Sequence, residues 1–355
     1  GSPPPRAGGG GGGRSAEPHL VVAGCGMVRY GQVVVGAAGA GKTTYCNGVR
    51  HLLSLQKRDS LLVVNLDPAS DNYAYECDLD VRDLVCAREV AQRYELGPNG
   101  ALVFCMEHLE RNVSWLCEKL ESIASEGSYV VFDCPGQVEL FSSHASFKNV
   151  LRKLEKRLGF RFVCVHLVDV QLCTDHANFL SAILLSLGVM LNLELSHVNC
   201  LSKCDTIATH GDLALPLERY LDPSLMSTSQ FRSRASRGLS PKFDRLTQGL
   251  AELNEDYSLV DFTPIAVEDG RSMHALLRTL DKCLGYTAKA AKDAKDVQAE
   301  TGATEAQALV AALDASLGDG GLSVDWQEHF ARFAAAREGN RKGEEDPQKT
   351  QINSK

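Results

Sequence analysis

The sequence predicts an α/β fold in which a doubly wound, mainly parallel sheet carries helices on both faces. Between about residues 28 and 286, six short β-branched runs recur: GQVVVG (31–36), SLLVVNL (60–66), SYVVFD (128–133), FRFVCVHLV (160–168), SHVNCL (196–201) and VDFTPIA (260–266). They are nearly continuous in apolar residues rather than alternating, as strands buried on both faces read. Between most of them lie longer stretches with helical spacing, such as KTTYCNGVRHLLSL and HANFLSAILLSLGVML. Strand–helix alternation without an internal repeat gives a doubly wound sheet. Ligands of such sheets sit beyond the C-terminal strand ends, so the residues after each run carry the functional expectation.

The first run leads into Gly36-Ala37-Ala38-Gly39-Ala40-Gly41-Lys42-Thr43-Thr44, a complete G-x-x-x-x-G-K-T. Glycines let the backbone curl so that its N–H groups face phosphate oxygens, and the following helix adds its positive N-terminus. Lys42 is placed to reach the β- and γ-phosphates and the Thr43 hydroxyl to ligate Mg²⁺. This makes the fold a P-loop NTPase, with Gly39, Ala40, Gly41, Lys42, Thr43 and Thr44 as nucleotide-binding residues. The second run ends in Asn65-Leu66-Asp67-Pro68 and the third in Asp133-Cys134-Pro135-Gly136-Gln137. Asp67 and Asp133 are expected near the metal with Thr43. The second of these strand ends resembles the D-x-x-G of GTPases, and glutamine directly after it is a residue type that orients attacking water. Glu139 is a further candidate for positioning that water.

The fifth run ends in Leu201-Ser202-Lys203-Cys204-Asp205. A carboxylate there can accept two hydrogen bonds from the N1–H and N2–H₂ edge of guanine, a donor pair that adenine lacks. The stretch resembles the guanine-specificity motif Asn/Thr-Lys-x-Asp, with Ser in first place. His166 and His197, in or beside buried runs, are expected to be structural, and His144 has no required part in this chemistry. Trp115 reads equally as a core aromatic and as an interface residue on a helix. Gly97-Pro98-Asn99-Gly100 reads as a turn, since Pro presets φ while Asn and Gly tolerate positive φ.

GKTTYC, NLDP, the Gly97-Pro98-Asn99 tripeptide, FDCPGQVEL and SKCD stand here in the order and spacing of the GPN-loop GTPases, and the resemblance covers about 30–286. Among the three eukaryotic paralogues the chain looks most like the second, through YECDLDVRDLV, GPNGALVFCMEHLERNVSWL and HLVDVQLCTD. YLDPSL (220–225) and KFDRLTQGL (242–250) look closer to the third. The resemblance implies a homodimer, or a heterodimer with a paralogous GPN-loop GTPase, in which Asn99 reaches the phosphate region and attacking water of the partner subunit. Related dimeric ATPases carry a trans-acting lysine early in the P-loop, where this chain has Ala37 and Ala38. The residues themselves call for GTP/GDP and Mg²⁺ as cofactors and for Gln137 and Asp67 as catalytic groups that orient water; the resemblance adds Asn99 as a catalytic residue and implies assembly and nuclear import of RNA polymerases II and III through their subunits or assembly factors. The expected location is the cytoplasm, with shuttling to the nucleus. A nucleotide-gated scaffold whose GTP state matters more than its turnover is the alternative. A nucleotide or polynucleotide kinase is a weaker one, since the 231–237 cluster FRSRASR lacks an obvious acceptor pocket around it.

Composition agrees with a globular protein: 44% hydrophobic, 23% charged, net charge −8. That balance argues against a broad nucleic-acid or anionic-membrane surface, so neither direct nucleic-acid nor membrane binding is expected. The twelve cysteines are scattered without C-x-x-C, which fits a reducing compartment rather than disulfides or zinc. The longest apolar stretch, AILLSLGVMLNLEL (182–195), is too short and interrupted to span a bilayer and reads as a buried helix. Residues 1–26, with PPP and six consecutive glycines, form an N-terminal extension that cannot fold, and Met27 is the expected native start. The GTPase domain then covers 27–286, with a helical insertion at about 206–250 rich in Ser, Arg and Pro. From 287 to 355 a largely disordered tail is expected, with one helical island at Asp325–Ala335.

Overall fold

The computed structural model describes residues 28–56, 61–70, 76–209, 217–221, 260–286 and 329–333, with isolated positions at 213, 249–250, 252 and 335. Among the described residues seven strands, β1 (Arg29–Gly36), β2 (Leu61–Asn65), β3 (Leu79–Asp80), β4 (Tyr129–Asp133), β5 (Phe160–Asp169), β6 (Ser196–Ser202) and β7 (Phe262–Pro264), form one sheet in the order β3-β2-β4-β1-β5-β6-β7. Every pairing is parallel. The six expected runs are all strands. β3 is the addition, two residues matched in register as Val64↔Leu79 and Asn65↔Asp80.

The continuous apolar runs have the cause that the pattern implied: all eight residues of β1 are buried. Alternate residues feed different cores. Val33 and Val35 belong to a cluster that includes residues of α3 (Pro98–Arg111), α4 (Val113–Ile123) and α6 (Ala145–Leu158). Val34 faces the opposite cluster, with Tyr45 and Val49 of α1 (Lys42–Leu55) and Met273 and Leu276 of the last long helix, Gly270–Leu284. A third cluster lies at the β6–β7 side. It holds Phe179 of α7 (His176–Leu193), Tyr220 of α8 (Leu217–Leu221), Phe262 and Phe330. β1 has β4 on one side and β5 on the other, so the loop after it opens at the point where the winding reverses, the crevice where such sheets bind ligands.

The Gly97-Pro98-Asn99-Gly100 turn is corrected. The reversal is made one step earlier, at the C-terminus of α2 (Ala87–Tyr94), by Glu95 in the left-handed conformation (φ 51°). Gly97 is the N-cap of α3 and Pro98 its first residue. Proline suits that place because its fixed φ is helical and its missing N–H would have had no partner there. Asn99 and Gly100 continue the helix, with the Ala101 amide bonded to the Gly97 carbonyl at 2.9 Å.

The 182–195 stretch is mostly α7, and Trp115 lies on α4 packed against the first cluster. Among the described residues no helix is long and apolar enough to cross a membrane. The 1–26 extension, Met27, most of the 206–250 insertion and most of the tail lie outside the described residues. Of the helical island, 329–333 is helical.

Candidate functional site

The phosphate loop joins β1 to α1. Gly41, immediately before the helix, has φ 92°, a conformation that L side chains rarely adopt. Lys42 is buried and folds back over the loop, its Nζ donating to the carbonyl oxygens of Gly36 (3.0 Å) and Ala37 (3.1 Å). Burial pulls the Lys42 ammonium below its ordinary value, while the carboxylates of Asp133 and Asp67 pull it back up. A buried cation held only by carbonyls and nearby carboxylates is well placed to take an anionic ligand.

Thr43 Oγ1 donates to Asp133 Oδ2 at 3.0 Å, so two of the three expected metal residues are in contact. Asp133 is buried at the end of β4. Asp67 stands at the end of the neighbouring β2 strand, where burial raises its carboxyl and the Ala69 amide, bonded to Oδ1 at 3.0 Å, partly opposes that. Its backbone is fixed by Asn65, whose side chain accepts from the Asp67 amide (3.0 Å) and donates to Asp80 Oδ1 (3.0 Å). β3 thus braces the Asp67 strand end. All the ligand types here are oxygens, the set a hard divalent cation takes.

Gly136 sits hard against the phosphate loop. A Cβ there would lie 3.1 Å from Ala38 Cα and 3.2 Å from Lys42 Nζ. Gln137 follows, with its Oε1 buried and without a hydrogen-bond partner among the described residues. Glu139, by contrast, is exposed at the start of the short helix α5 (Glu139–Ser142). His144 caps α6, accepting from the Ser146 amide. His166 is buried in the core and His197 half-buried at the start of β6; burial pushes them down to about 4 and about 3.

The side expected to take the base is built from the loop after β6. Ser202 Oγ, 3% exposed as a residue, shares its proton between the Ala40 carbonyl (2.9 Å) and the Val168 carbonyl (3.2 Å). One hydroxyl therefore ties the phosphate loop to the base loop and to β5. Lys203 adopts φ 61°, a conformation that costs a non-glycine residue about 1 kcal/mol or more and recurs at functional sites. Its Nζ reaches Asp169 Oδ2 at 2.6 Å, which lays the aliphatic stem along Gly41. Asp205, half-buried, shares with Ala40, Gly41, Lys203, Ile265 and Val267 the lining of a cleft of about 150 Å³. The Cys204 side chain is turned into the third core cluster, its Sγ donating to the Leu201 carbonyl at 3.2 Å, so its side chain does not line the cleft.

Asn99 is not brought to this site. It is exposed at the N-terminus of α3, beside Tyr94 (50% exposed) and Leu96 (36%). Three features escaped sequence reasoning. Asp169 holds Lys203, Asp80 braces Asn65, and the loop after β7 supplies Ile265, Val267 and Glu268 to the cleft. Asp169 and the β7 loop both follow apolar runs, which was the available signal.

Comparison with known proteins identifies relatives of this chain. Residues 34–286 match a family model described as a conserved hypothetical ATP-binding protein. The chain is 47% identical over 258 residues to the GPN-loop GTPase QQT1 of Arabidopsis thaliana, covering 72% of this chain and 85% of that protein. It is 45% identical over 260 residues to GPN-loop GTPase 2 of Danio rerio, covering 73% and 82%. Against GPN-loop GTPase 2 of Schizosaccharomyces pombe the identity is 43% over 256 residues, covering 72% and 80%. Among solved structures, the crystal structure of an apo-form GTPase from Pyrococcus abyssi shares the fold, with TM-score 0.58 and 22% identity over 71% of this chain and 96% of that one.

Proposed function

The chain belongs to the GPN-loop GTPase family, and from that premise we propose that it is a guanine-nucleotide switch that hydrolyses the β–γ anhydride of GTP. The observation that carries this reading is the Ser202 bridge, which joins a Lys42–Thr43–Asp133 phosphate site to a cleft edged by the Asp205 carboxylate. The family model's description speaks of ATP; a carboxylate at the base edge favours guanine, whose N1–H and N2–H₂ donate where adenine N1 accepts.

Loop amides and Lys42 bind the phosphates, and the Lys203 stem and Asp205 hold the base. Mg²⁺ fits the oxygen donors of Thr43, Asp133 and Asp67, and when bound it would neutralise charge on the β- and γ-phosphates. Gln137 orients the attacking water through its unpaired Oε1, with Asp67 at the neighbouring strand end as a second water-orienting group.

Catalysis is completed by a second subunit. Asn99 has a solvated amide, a rigid Pro98-started helix to hold it, and exposed Tyr94 and Leu96 beside it. A homodimer, or a heterodimer with a paralogous GPN-loop GTPase, brings that amide to the partner's phosphates. Stabilising developing phosphoryl charge by a preorganised donor is the step such a contact serves. The GTP state then governs assembly and nuclear import of RNA polymerases II and III, with the protein in the cytoplasm and shuttling to the nucleus.

The test is GTP turnover per chain across protein concentration, for wild type and Asn99→Ala. Turnover is expected to rise with concentration and to fall about a hundredfold in the variant, the order seen for loss of one charge-stabilising donor, with GDP binding retained. Turnover independent of concentration, together with an active variant, would refute trans catalysis.

A further inference from the structure

The base cleft has a support that lies outside the span matched by the family model, 34–286. The loop after β7 is bonded directly to the base loop: the Ile265 amide donates to Leu201 O (2.8 Å) and the Cys204 amide to Ile265 O (3.1 Å). Val267 and Glu268 then line the cleft. The loop is closed by a turn, the Asp269 amide to Ala266 O at 3.0 Å, and Ser272 Oγ braces it from within reach of both the Ala266 amide and carbonyl at 3.2 Å. The turn and the Ser272 brace meet at Asp269, whose carbonyl accepts from Ser272 Oγ at 3.1 Å.

Asp269 is 5% exposed, and its carboxylate caps the Gly270–Leu284 helix through the amides of Arg271 (3.3 Å) and Ser272 (3.0 Å). The oxygen that takes the Ser272 amide also lies 2.8 Å from Nε2 of His329, a residue sixty positions further along the chain. Phe330, next to it, is 2% exposed and belongs to the buried cluster that contains Leu201, Cys204, Phe262 and Ala266. Those four residues flank or form the backs of the two loops that make the cleft. A desolvated carboxylate needs its donors, so His329 fixes the Asp269 carboxylate while Phe330 anchors His329.

We propose that His329 and Phe330 are positioning residues for nucleotide binding: the C-terminal segment clasps the 265–269 wall of the base cleft and prolongs the residence of the bound guanine nucleotide. This rests on the guanine-nucleotide reading of the cleft. The clasp sits behind the wall and touches no reacting group, so it acts on dissociation rather than on hydrolysis of nucleotide already bound. It also makes the His329–Phe330 segment a means of regulating the switch, since anything that pulls it away loosens the wall.

The test uses the full chain loaded with fluorescent mant-GDP and chased with unlabelled GDP, for wild type, His329→Ala, His329→Gln and Phe330→Ala. His329→Ala and Phe330→Ala are expected to speed dissociation about tenfold, the scale of losing one hydrogen bond to a buried charged group. His329→Gln keeps a donor and is expected within about twofold of wild type. In an Asp269→Ala background, which leaves no acceptor for the imidazole, His329→Ala is expected to add no further acceleration, because the two residues act as one unit. A purely structural role would lower the melting temperature of the variants while leaving dissociation unchanged, and that result overturns the inference. Full additivity in the Asp269→Ala background overturns it as well. A wild-type chain that retains no guanine nucleotide would instead defeat the proposed function, and this inference with it.

Discussion

Replacing Ser202 by alanine removes one hydroxyl and tests whether the phosphate and base halves of the site are one unit. The side chain is buried and its single proton is shared between the Ala40 and Val168 carbonyls, at 2.9 and 3.2 Å. Loss of the bond removes about 1 kcal/mol, and leaving a buried carbonyl unpaired costs about 1–3 kcal/mol more unless its other lone pair or water compensates. Part of that falls on the stability of the fold. The remainder falls on nucleotide affinity, because Ala40 O belongs to the loop proposed to bind the phosphates. With about 1.4 kcal/mol per factor of ten, GDP affinity is expected to fall about tenfold in Ser202→Ala. Ser202→Thr, which keeps the hydroxyl, should stay within about threefold of wild type, a change of under 1 kcal/mol. Equilibrium titration with fluorescent GDP reads both. A Ser202→Ala chain that melts lower yet binds GDP as tightly as wild type would refute the bridge as a coupling element.

Gly136→Ala places a methyl 3.1 Å from Ala38 Cα and 3.2 Å from Lys42 Nζ, so Lys42 or the loop must give way. Single-turnover GTP hydrolysis is expected to fall by about a hundredfold, as displacements of about 1 Å at a reacting centre do, while GDP binding falls much less; equal losses would contradict the placement. His166 and His197 are held neutral by burial, at about 4 and about 3, against an ordinary value near 6.5. The unfolded chain therefore binds more protons below about pH 6.5, and stability present above that pH is lost as the pH falls toward the folded values. The slope approaches about 1.4 kcal/mol per pH unit for each histidine. Urea midpoints that stay level from pH 7 to pH 5 would contradict this.

The strands were readable because burial on both faces leaves a run nearly all apolar, as in β1 and β5. β3 was not, since two residues carry no periodicity and Leu79–Asp80 is defined only by its register with β2. That the Gly36–Thr44 loop, Asp133 and the loop after β6 come together at one end of the sheet was readable, because the strand–loop–helix turn and the strand ends admit few residue types at fixed spacing. The Gly97–Gly100 stretch was misread because the same residues serve a turn and a helix start; only the left-handed Glu95 upstream decides between them. The partners of site residues were hidden by distance along the chain. Asp169 meets Lys203 across two strands, and His329 meets Asp269 from a segment whose composition suggested only an isolated helical island. Cys204 shows the limit of motif spacing: the position belongs to the base loop, yet its side chain belongs to the core.

The central claim is that Asp205 makes the cleft a guanine site in front of a working phosphate loop. Phosphate release from GTP, ATP and XTP by wild type and Asp205→Asn tests it directly. Wild type is expected to hydrolyse GTP and to leave ATP essentially untouched. Asp205→Asn is expected to lose GTP and gain XTP, because an amide can donate to the xanthine C2 carbonyl that replaces the guanine amine. A wild-type chain that turns over ATP as readily as GTP, or a variant whose preference is unmoved, would contradict the account.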